Sequence, residues 1–355
     1  MFRFDMVGKL NIAKDTDKNK GYEEKTFDSG FNMRTLRLNM KSGKDKFNVE
    51  IRGGINGTES AAEVYSMVKK DKGYENVKFK FKDREKYISD LAEFKKFVFV
   101  HGEDRNEFVT AYELAGFMNC ILKNEAYQDV KFKISGEVEL SQYEDKNTHE
   151  QRVAKRYSIN RIYVVDESTE ETATAQVDIL IDDNAISDTL IDDDILMING
   201  YVEQYDGKKK GNIGIQQVFE YSLSGKGDKK DKIVGKMKDL MKVEDEETLS
   251  KIGFNLELWN RSEDIEFSLD MVSDEEKELL ELGLTTEEEL KRSYGNGKGN
   301  YVQKNLIKTI KKGFMGGCIP TSITLTDLLS VPEEPKVDLE NIGTIDDEDM
   351  DDLFA

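Results

Sequence analysis

Residues 2–12, FRFDMVGKLNI, alternate apolar and polar side chains. The apolar residues share one face, which consists of Phe2, Phe4, Met6, Leu10 and Ile12. An alternation of period two is typical of a strand with one buried face. Gly8 interrupts this face, and a glycine inside a strand marks a bend or a close backbone approach. The stretch therefore predicts a bent strand that belongs to a curved sheet.

Two further strand patterns follow in the same region. A polar loop, 13–30, leads to FNMRTLRLNM at 31–40, and the turn 41–45 leads to KFNVEIR at 46–52. In the last of these strands the apolar residues again alternate with polar ones. The order is thus a bent strand, a long loop and a hairpin of two strands.

A similar order returns at an offset of 128, which places Gly136 opposite Gly8. The strands of this second copy are VKFKISGEVEL at 130–140, YSINRIYVV at 157–165 and ATAQVDILI at 173–181. Two more strands, 195–202 and 213–221, follow it. A bent strand, a long loop and a hairpin form the front half of an OB barrel. We predict a mainly β fold with α additions: two tandem OB-like five-stranded barrels.

The predicted domains are 1–128, 129–222, 233–330 and 331–355. The first is an OB-like barrel with a helical insertion at Glu59–Lys70, strands at Val77–Lys82 and Phe97–Val100, and a helix that Asp104–Glu107 caps. The second is the other OB-like barrel. The third is a helical segment with helices at Ile233–Met241, Glu246–Ile252, Ser273–Leu282, Thr286–Ser293 and Val302–Phe314. The fourth is a disordered acidic tail.

Charge is distributed unevenly along the chain. The net charge is -20, yet residues 1–100 carry 22 Lys and Arg against 16 Asp and Glu. Residues 333–355, in contrast, have a net charge of -9. A basic region on an acidic chain with an acidic tail is a hint of nucleic-acid interaction.

Membrane insertion and secretion find no support in the sequence. No apolar run reaches the roughly 20 residues of a membrane span. The N-terminal residues lack the apolar block of a signal peptide. We therefore expect a cytoplasmic protein with no membrane partner.

A catalytic or metal site is weakly supported. Two cysteines and two histidines complete no zinc spacing. Carboxylates at Asp178, Asp182, Asp183 and 192–194 could hold Mg²⁺ in a nuclease, although a solvated loop explains them better. The glycine-rich stretch 295–299 lacks the spacing of a phosphate loop. We predict a protein that is not an enzyme and that uses no cofactor and no metal.

Nucleic-acid binding is better supported. Single strands are held by a cationic groove together with aromatic side chains on which the bases stack. An arginine lies on the strand 31–40 whichever of its faces is buried, and an unpaired buried charge would be costly. The candidate contacts of the first barrel are Tyr22, Phe31, Arg34, Arg37, Arg52, Phe79, Lys80 and Lys82. Those of the second are Arg156, Tyr157, Arg161, Tyr163, Lys208, Lys209 and Lys210.

The last ten residues combine six carboxylates with a Leu-Phe pair. The candidate partner-binding residues are Asp346, Asp347, Glu348, Asp349, Asp351, Asp352, Leu353 and Phe354. Such a tail could occupy the protein's own cationic groove, or it could present Leu353 and Phe354 to a basic-rimmed apolar pocket on another protein. A tail that only keeps the protein soluble is the simpler alternative.

Two tandem OB-like repeats over 1–222 and the tail Asp346–Phe354 resemble the single-stranded-DNA-binding proteins of bacteriophages. The tail departs from that family because Ala355 follows the aromatic residue. The resemblance implies single-stranded DNA as a partner in replication, recombination and repair in the host cell cytoplasm. It also implies that the tail recruits a polymerase, helicase or primase, and self-association is possible. The alternative is a phage structural or protein-interaction protein with β-barrel domains.

Overall fold

The computed structural model describes residues 1–17, 19–144, 149, 151–186, 195–206, 210–245, 247–262, 272–295 and 301–329. Sixteen strands and five α-helices are described in these ranges. The first eight strands are β1 (Phe2–Ile12), β2 (Tyr22–Thr26), β3 (Phe31–Ser42), β4 (Asp45–Asn56), β5 (Glu63–Lys70), β6 (Gly73–Lys80), β7 (Phe97–His101) and β8 (Asp104–Phe108). The next elements are α1 (Ala111–Lys123), β9 (Lys131–Glu144), β10 (Gln151–Val165), β11 (Thr172–Ile181), β12 (Ile195–Asp206) and β13 (Gly211–Ser222). The last are α2 (Lys230–Leu240), β14 (Ser250–Ser262), α3 (Asp274–Glu281), α4 (Glu287–Gly295), β15 (Tyr301–Ile310), β16 (Ile319–Pro320) and α5 (Leu325–Leu329).

Barrel 1 consists of β1, β3, β4, β9 and β10. The antiparallel pairs are β1–β3, β3–β4, β9–β10 and β1–β9. The ring closes where β4 pairs in parallel with β10, at Val49 opposite Tyr157. Numbered within the barrel, the strand order is 1-2-3-5-4-1, which is the arrangement of an OB barrel.

Barrel 2 has the same strand order and consists of β11, β12, β13, β14 and β15. The antiparallel pairs are β11–β12, β12–β13, β14–β15 and β11–β14. Its parallel closing pair joins β13 to β15, at Glu220 opposite Leu306. A helix precedes the fourth strand in both barrels: α1 in barrel 1 and α2 in barrel 2. The prediction of a mainly β fold with two five-stranded OB-like barrels is therefore confirmed.

The two barrels share one continuous sheet. Their first strands, β1 and β11, pair antiparallel from Phe2 opposite Val177 to Val7 opposite Thr172. A partly buried ion pair adds a second link, because Asp45 accepts hydrogen bonds from Arg261 Nε and Nη2 at 2.8 and 2.6 Å. A third link runs from Lys155 Nζ to Asn305 Oδ1, at 3.0 Å.

The two predicted glycine bends lie where strands of barrel 1 cross closely. A methyl group at Gly8 would overlap the carbonyl of Lys41 on β3, and one at Gly136 would overlap the carbonyl of Ser158 on β10. Because both obstacles are backbone atoms, no side-chain rotation can make room. The glycines therefore allow β1 and β9 to curve around a small barrel.

Strand pairing corrects the predicted boundary at residue 128. The segments 130–140 and 157–165 were predicted to open the second barrel, but β9 and β10 instead close the first. The second barrel begins at β11. The offset of 128 therefore matched the first strand of a barrel to its fourth, because both are alternating strands with a glycine bend.

Several predicted helices are strands. Glu59–Lys70 contains β5, Glu246–Ile252 runs into β14, and Val302–Phe314 contains β15. The predicted helical segment 233–330 therefore supplies two strands that complete barrel 2. The predicted cap at Asp104–Glu107 lies in β8, and Thr110 caps α1 instead. The helices predicted near 233–241, 273–282 and 286–293 correspond to α2, α3 and α4.

The predicted tail, 331–355, lies outside the described residues. In the described part of the chain, no helix is both long and apolar enough to cross a membrane.

Candidate nucleic-acid interface

The outward side chains of β3 and β4 form a continuous surface on barrel 1, which we name the β3–β4 face. In β4 the buried residues Phe47, Val49 and Ile51 alternate with the outward residues Lys46, Asn48 and Glu50. Across the strand pair, the residues on this side pair as Lys41 with Lys46, Asn39 with Asn48, Arg37 with Glu50, Thr35 with Arg52, Met33 with Gly54 and Phe31 with Asn56, and Thr35 among them is buried. From Asn48 to Asn56 this face is about 26 Å long.

Aromatic side chains gather at one end of the β3–β4 face. The rings of Phe27 and Phe31 lie 6.1 Å apart between centroids. Phe31 lies against Gly54, where a methyl group would overlap the ring. Lys25 Nζ lies 4.7 Å from the centroid of Phe27. Because Phe31 remains 36% exposed, its ring is available to a base.

Arg52 is the cation next to this aromatic end. Its side chain is exposed, and Nε contacts Met33 Sδ at 3.2 Å. None of the ion pairs between described residues involves Arg52. An exposed guanidinium with five N–H donors and no carboxylate partner can bind a phosphate without displacing an acid.

A groove of about 470 Å³ continues the face toward β9 and β10. Its cations are Lys14, Arg37, Lys155 and Arg156. Arg37 Nη1 lies 3.3 Å from Glu23 Oε2, and Arg156 Nε lies 3.1 Å from Glu50 Oε1. These carboxylates neutralise part of the positive charge. Each guanidinium nevertheless retains N–H donors that the described bonds do not use.

Lys155 differs from the other cations of the groove. Its ammonium group donates to the neutral side chain of Asn305 in barrel 2. Burial lowers the pKa of Lys155 to about 8. The charge on this lysine is therefore expected to change near neutral to mildly alkaline pH.

Two predicted contacts lie on a different side of barrel 1. Arg34 stacks on Tyr112 of α1, 3.8 Å from the ring centroid, and pairs with Glu24 at 3.0 Å. Tyr22 donates to the same carboxylate, and burial raises its pKa. The hydrogen bond from Tyr22, together with Arg34, lowers the pKa of Glu24. Tyr22 and Arg34 therefore bind β2 and β3 to the helix side of the barrel, not to the β3–β4 face.

Two predicted stacking residues are buried in apolar cores, so their prediction as exposed aromatic contacts is wrong. Phe79 is 5% exposed and stacks on Tyr87 with the centroids 4.4 Å apart. Tyr157 is 3% exposed and meets Phe4 and Phe47 edge to face. Each ring occupies the inward position of an alternating strand, which the sequence alone did not identify.

The remaining predicted residues are scattered. Lys80 and Lys82 are exposed at the end of β6 and just after it. Arg161 donates to the carbonyl of Glu93 at 2.9 Å, and Tyr163 is half-buried on β10. Lys210 lies exposed in the turn before β13 of barrel 2, whereas Lys208 and Lys209 are outside the described residues. The structure thus brings together Phe31, Arg37, Arg52 and Arg156.

Sequence reasoning missed several members of the face. Lys14 lies before β2 and Lys25 within β2, both in the stretch 13–30 that was predicted as a loop, and Phe27 and Met33 flank Phe31. A signal was present, because two aromatics and Lys25 lie at the start of a predicted barrel strand. The pairing of β2 with β3, which places Lys25 opposite Met33, was not readable from periodicity.

The corresponding face of barrel 2 is covered in part and carries acidic side chains. Leu328 of α5 lies over Gly214 of β13, where a methyl group would come within 3.0 Å of Leu328 Cδ1. Leu328 packs with Leu180 and Leu249, and Tyr201 lies against this cluster. The charged residues that face outward on the described parts of β12 and β13 include Glu203 and Glu220, and Glu220 pairs with Lys304 at 3.2 Å. This surface is a poor site for a phosphate chain.

The carboxylates considered for a metal are used otherwise where they are described. Asp178 Oδ1 pairs with Lys311 Nζ at 2.5 Å, and its Oδ2 lies 4.0 Å from Lys251 Nζ. Residues 192–194 lie outside the described ranges. Among the residues with described positions, no group of three or more His, Cys, Asp or Glu could hold a metal ion.

No family model and no curated protein matches the sequence. Two crystal structures of the single-stranded DNA binding protein from Thermus aquaticus are similar to this chain. The wild-type structure has 8% identity and a TM-score of 0.28, with 73% of this chain and 85% of that chain covered. A deletion mutant has 8% identity and a TM-score of 0.29, with 73% and 87% covered. The assignment of the OB fold rests on the strand pairing described above.

Proposed function

We propose that this chain is a non-enzymatic protein that binds single-stranded DNA along the β3–β4 face of barrel 1. The proposed setting is phage DNA replication, recombination and repair in the host cell cytoplasm. The observation that carries the proposal is the position of Arg52, an exposed cation beside Phe31 and Met33 on the second and third strands of an OB barrel. This is the face with which OB folds bind oligonucleotides.

The chemistry of the face fits a single strand. Phe31 and Phe27 offer ring surfaces to unpaired bases, and such stacking does not depend on base identity. Arg52 and Lys25 can contact the phosphates on either side of a stacked base. A duplex has no splayed bases to place on these rings, so its affinity is expected to be lower.

The test is a titration of a labelled thymidine oligonucleotide of about 30 nucleotides with the full chain, followed by fluorescence anisotropy. Arg52→Glu should weaken binding by about tenfold or more, because it removes a phosphate contact and adds repulsion. Lys226→Glu makes the same charge change at an exposed site on barrel 2 and is the matched control. No binding by the unaltered chain at low salt, or equal effects of the two variants, would refute the proposal.

We further propose that the acidic tail recruits replication proteins such as a polymerase, helicase or primase. Its composition supports this role, since six carboxylates precede Leu353 and Phe354. Electrostatic attraction would bring the tail to a basic surface, and the two apolar side chains would then anchor it. In a pull-down from infected cells, Phe354→Ala should lose more partner protein than Asp352→Asn. Equal recovery with both variants would favour a tail that only keeps the protein soluble.

A further inference from the structure

The insertion between β4 and β7 contains a separate two-stranded sheet, β5 and β6. One side of this hairpin packs in an apolar cluster that it shares with Ile55 of β4 and Tyr112 of α1 and to which it contributes Val64, Val68 and Phe79. The core of the hairpin is therefore complete without the residues of its other side. That other side, which we name the hairpin face, consists of Glu63, Tyr65, Met67, Lys69, Tyr74, Asn76, Lys78 and Lys80.

The hairpin face exposes aromatic rings beside lysines. Tyr65 lies opposite Lys78 and is 72% exposed, and Tyr74 lies opposite Lys69 and is 58% exposed. Lys78 Nζ lies 5.2 Å from the centroid of Tyr65. Phe94 from the segment before β7 meets Tyr74 edge to face, with the centroids 5.0 Å apart, and is itself exposed. Large rings left in water on a small sheet are typical of a binding surface.

The charge of the hairpin complements a polyanion. Residues 63–82 contain six lysines and three acidic residues, within a chain whose net charge is -20. Glu63 pairs with Lys78 at 2.6 Å, and Glu75 pairs with Lys70 at 3.3 Å. The ion pairs between described residues include none with Lys69, Lys72 or Lys80. Three cations are thus available to phosphates next to the exposed rings.

The hairpin begins close to the aromatic end of the β3–β4 face. Asn56, the last residue of β4, lies opposite Phe31. The Gly57 N–H donates to the carbonyl of Gly30 at 3.0 Å, and Asn32 Nδ2 donates to the carbonyl of Gly57 at 2.7 Å. The link from Asn56 to Glu63 can span at most about 25 Å. A strand that leaves barrel 1 at Phe31 can therefore continue onto the hairpin.

We propose that the hairpin face, together with the neighbouring Phe94, is a second binding surface for the same DNA strand. On it, Tyr65, Tyr74 and Phe94 stack bases, and Lys69 and Lys80 contact phosphates. The inference rests on the proposed function, since it extends the strand bound to barrel 1. It predicts that a long oligonucleotide uses both surfaces, whereas a short one is held by the β3–β4 face alone. Linked contacts of this kind raise affinity by effective concentration.

The experiment compares thymidine oligonucleotides of about 8 and about 30 nucleotides, binding to the full chain. The variant is Tyr65→Ser with Tyr74→Ser. The matched control is Tyr205→Ser, at an exposed tyrosine on a strand of barrel 2. The double variant should bind the long strand about tenfold or more weakly and the short strand unchanged, and the control should alter neither. Circular dichroism and thermal unfolding should match those of the unaltered chain, because both rings point away from the hairpin core.

Each outcome of this experiment has a distinct meaning. Unchanged affinity of the double variant for the long strand would overturn the hairpin proposal and leave the β3–β4 proposal intact. Loss of affinity for both lengths would also overturn it, because the two tyrosines would then affect binding at the β3–β4 face and would not form a second surface. If the unaltered chain bound neither the short nor the long oligonucleotide, the proposed function itself would be refuted.

Discussion

Barrel 1 and barrel 2 have the same strand order but different side chains at matched positions of their outer faces. The hairpin turns join Ser42 to Asp45 and Asp206 to Gly211. Counted from these turns, the outward residues correspond as Arg52 to Val218, Arg37 to Tyr201, Lys41 to Tyr205, Lys46 to Asn212 and Gly54 to Glu220. The positions of the four cations in barrel 1 are thus occupied by uncharged residues in barrel 2, and the position of Gly54 is occupied by an acid.

The OB fold supplies a surface, and the side chains on it decide how the surface is used. In barrel 1 the surface carries exposed cations beside Phe31. In barrel 2 the same surface carries Glu203 and Glu220 and supports α5. Two copies of one fold therefore do not imply two DNA sites.

Two glycines of the fourth strands, Gly136 on the inward face of β9 and Gly253 on the outward face of β14, should differ most. Gly136→Ala drives a methyl group into the carbonyl of Ser158, so the backbone of β9 or β10 must move, and the free energy of unfolding should fall by about 4 kcal/mol or more. Gly253→Ala meets side-chain atoms, with Phe314 Cε2 at 2.5 Å and Lys311 Cδ at 2.8 Å. These side chains can rotate, and the loss should be about 1–3 kcal/mol. Urea unfolding measures both losses. Equal losses would show that β10 does not pass close to β9 at Gly136.

These glycines also show how much of the fold was predictable. The strand over 2–12 and its bend at Gly8 followed from local alternation, and β1 has those bounds. The closure of the barrels did not follow, because β4 pairs with β10 across about a hundred residues and periodicity carries no information on partners. For β15 the tertiary pairing with β14 prevailed over a segment that resembled a helix.

The candidate site was predictable in part for the same reason. Arg52 and Phe31 were found because they lie on or beside an alternating strand. Tyr157 was misplaced because its face could not be chosen before the sheet was known. Tyr65 was missed because its strand, β5, was predicted as a helix at Glu59–Lys70, and Tyr74 was missed because it lies between that helix and the predicted strand Val77–Lys82. A helix over 59–70 would not have placed Tyr65 on one sheet face with Tyr74.

The cover on barrel 2 provides the second prediction. Leu328→Ala removes a buried side chain between Gly214, Leu180 and Leu249, and should lower the free energy of unfolding by about 3 kcal/mol. DNA affinity should not rise, because the uncovered face is acidic. A gain in affinity for single-stranded DNA would show that α5, and not the charge of the face, keeps barrel 2 from binding. Thermal unfolding and the anisotropy titration measure the two effects.

Lys155, which links the fifth strands of the two barrels, provides the third prediction. Its pKa is about 8 in the folded chain, against an ordinary value of 10.5. Between these two pH values the lysine is protonated in the unfolded chain but neutral in the folded chain. Burying its charge therefore lowers the free energy of unfolding below pH 8, and this loss disappears as the pH rises to about 10.5. Relative to Lys155→Met, the wild type should gain up to about 3 kcal/mol over this range. Lys46→Met, at an exposed position, is the control, and parallel curves for all three proteins would contradict the burial of the Lys155 charge.

The smallest expected effect distinguishes the two ends of the β3–β4 face. Arg37 is held by Glu23 and by the carbonyl of Lys20, at 3.3 and 2.8 Å, whereas Arg52 has a methionine sulfur as its neighbour. Replacing Arg37 with Ala removes a charge that an acid already balances, so affinity for the long oligonucleotide should fall only about twofold. Arg52→Ala should cost more, because its charge is not balanced in this way and lies beside the stacking rings. If Arg37→Ala weakens binding as much as Arg52→Ala, the carboxylate must leave Arg37 when DNA binds, and the groove toward β10 is then the stronger half of the site.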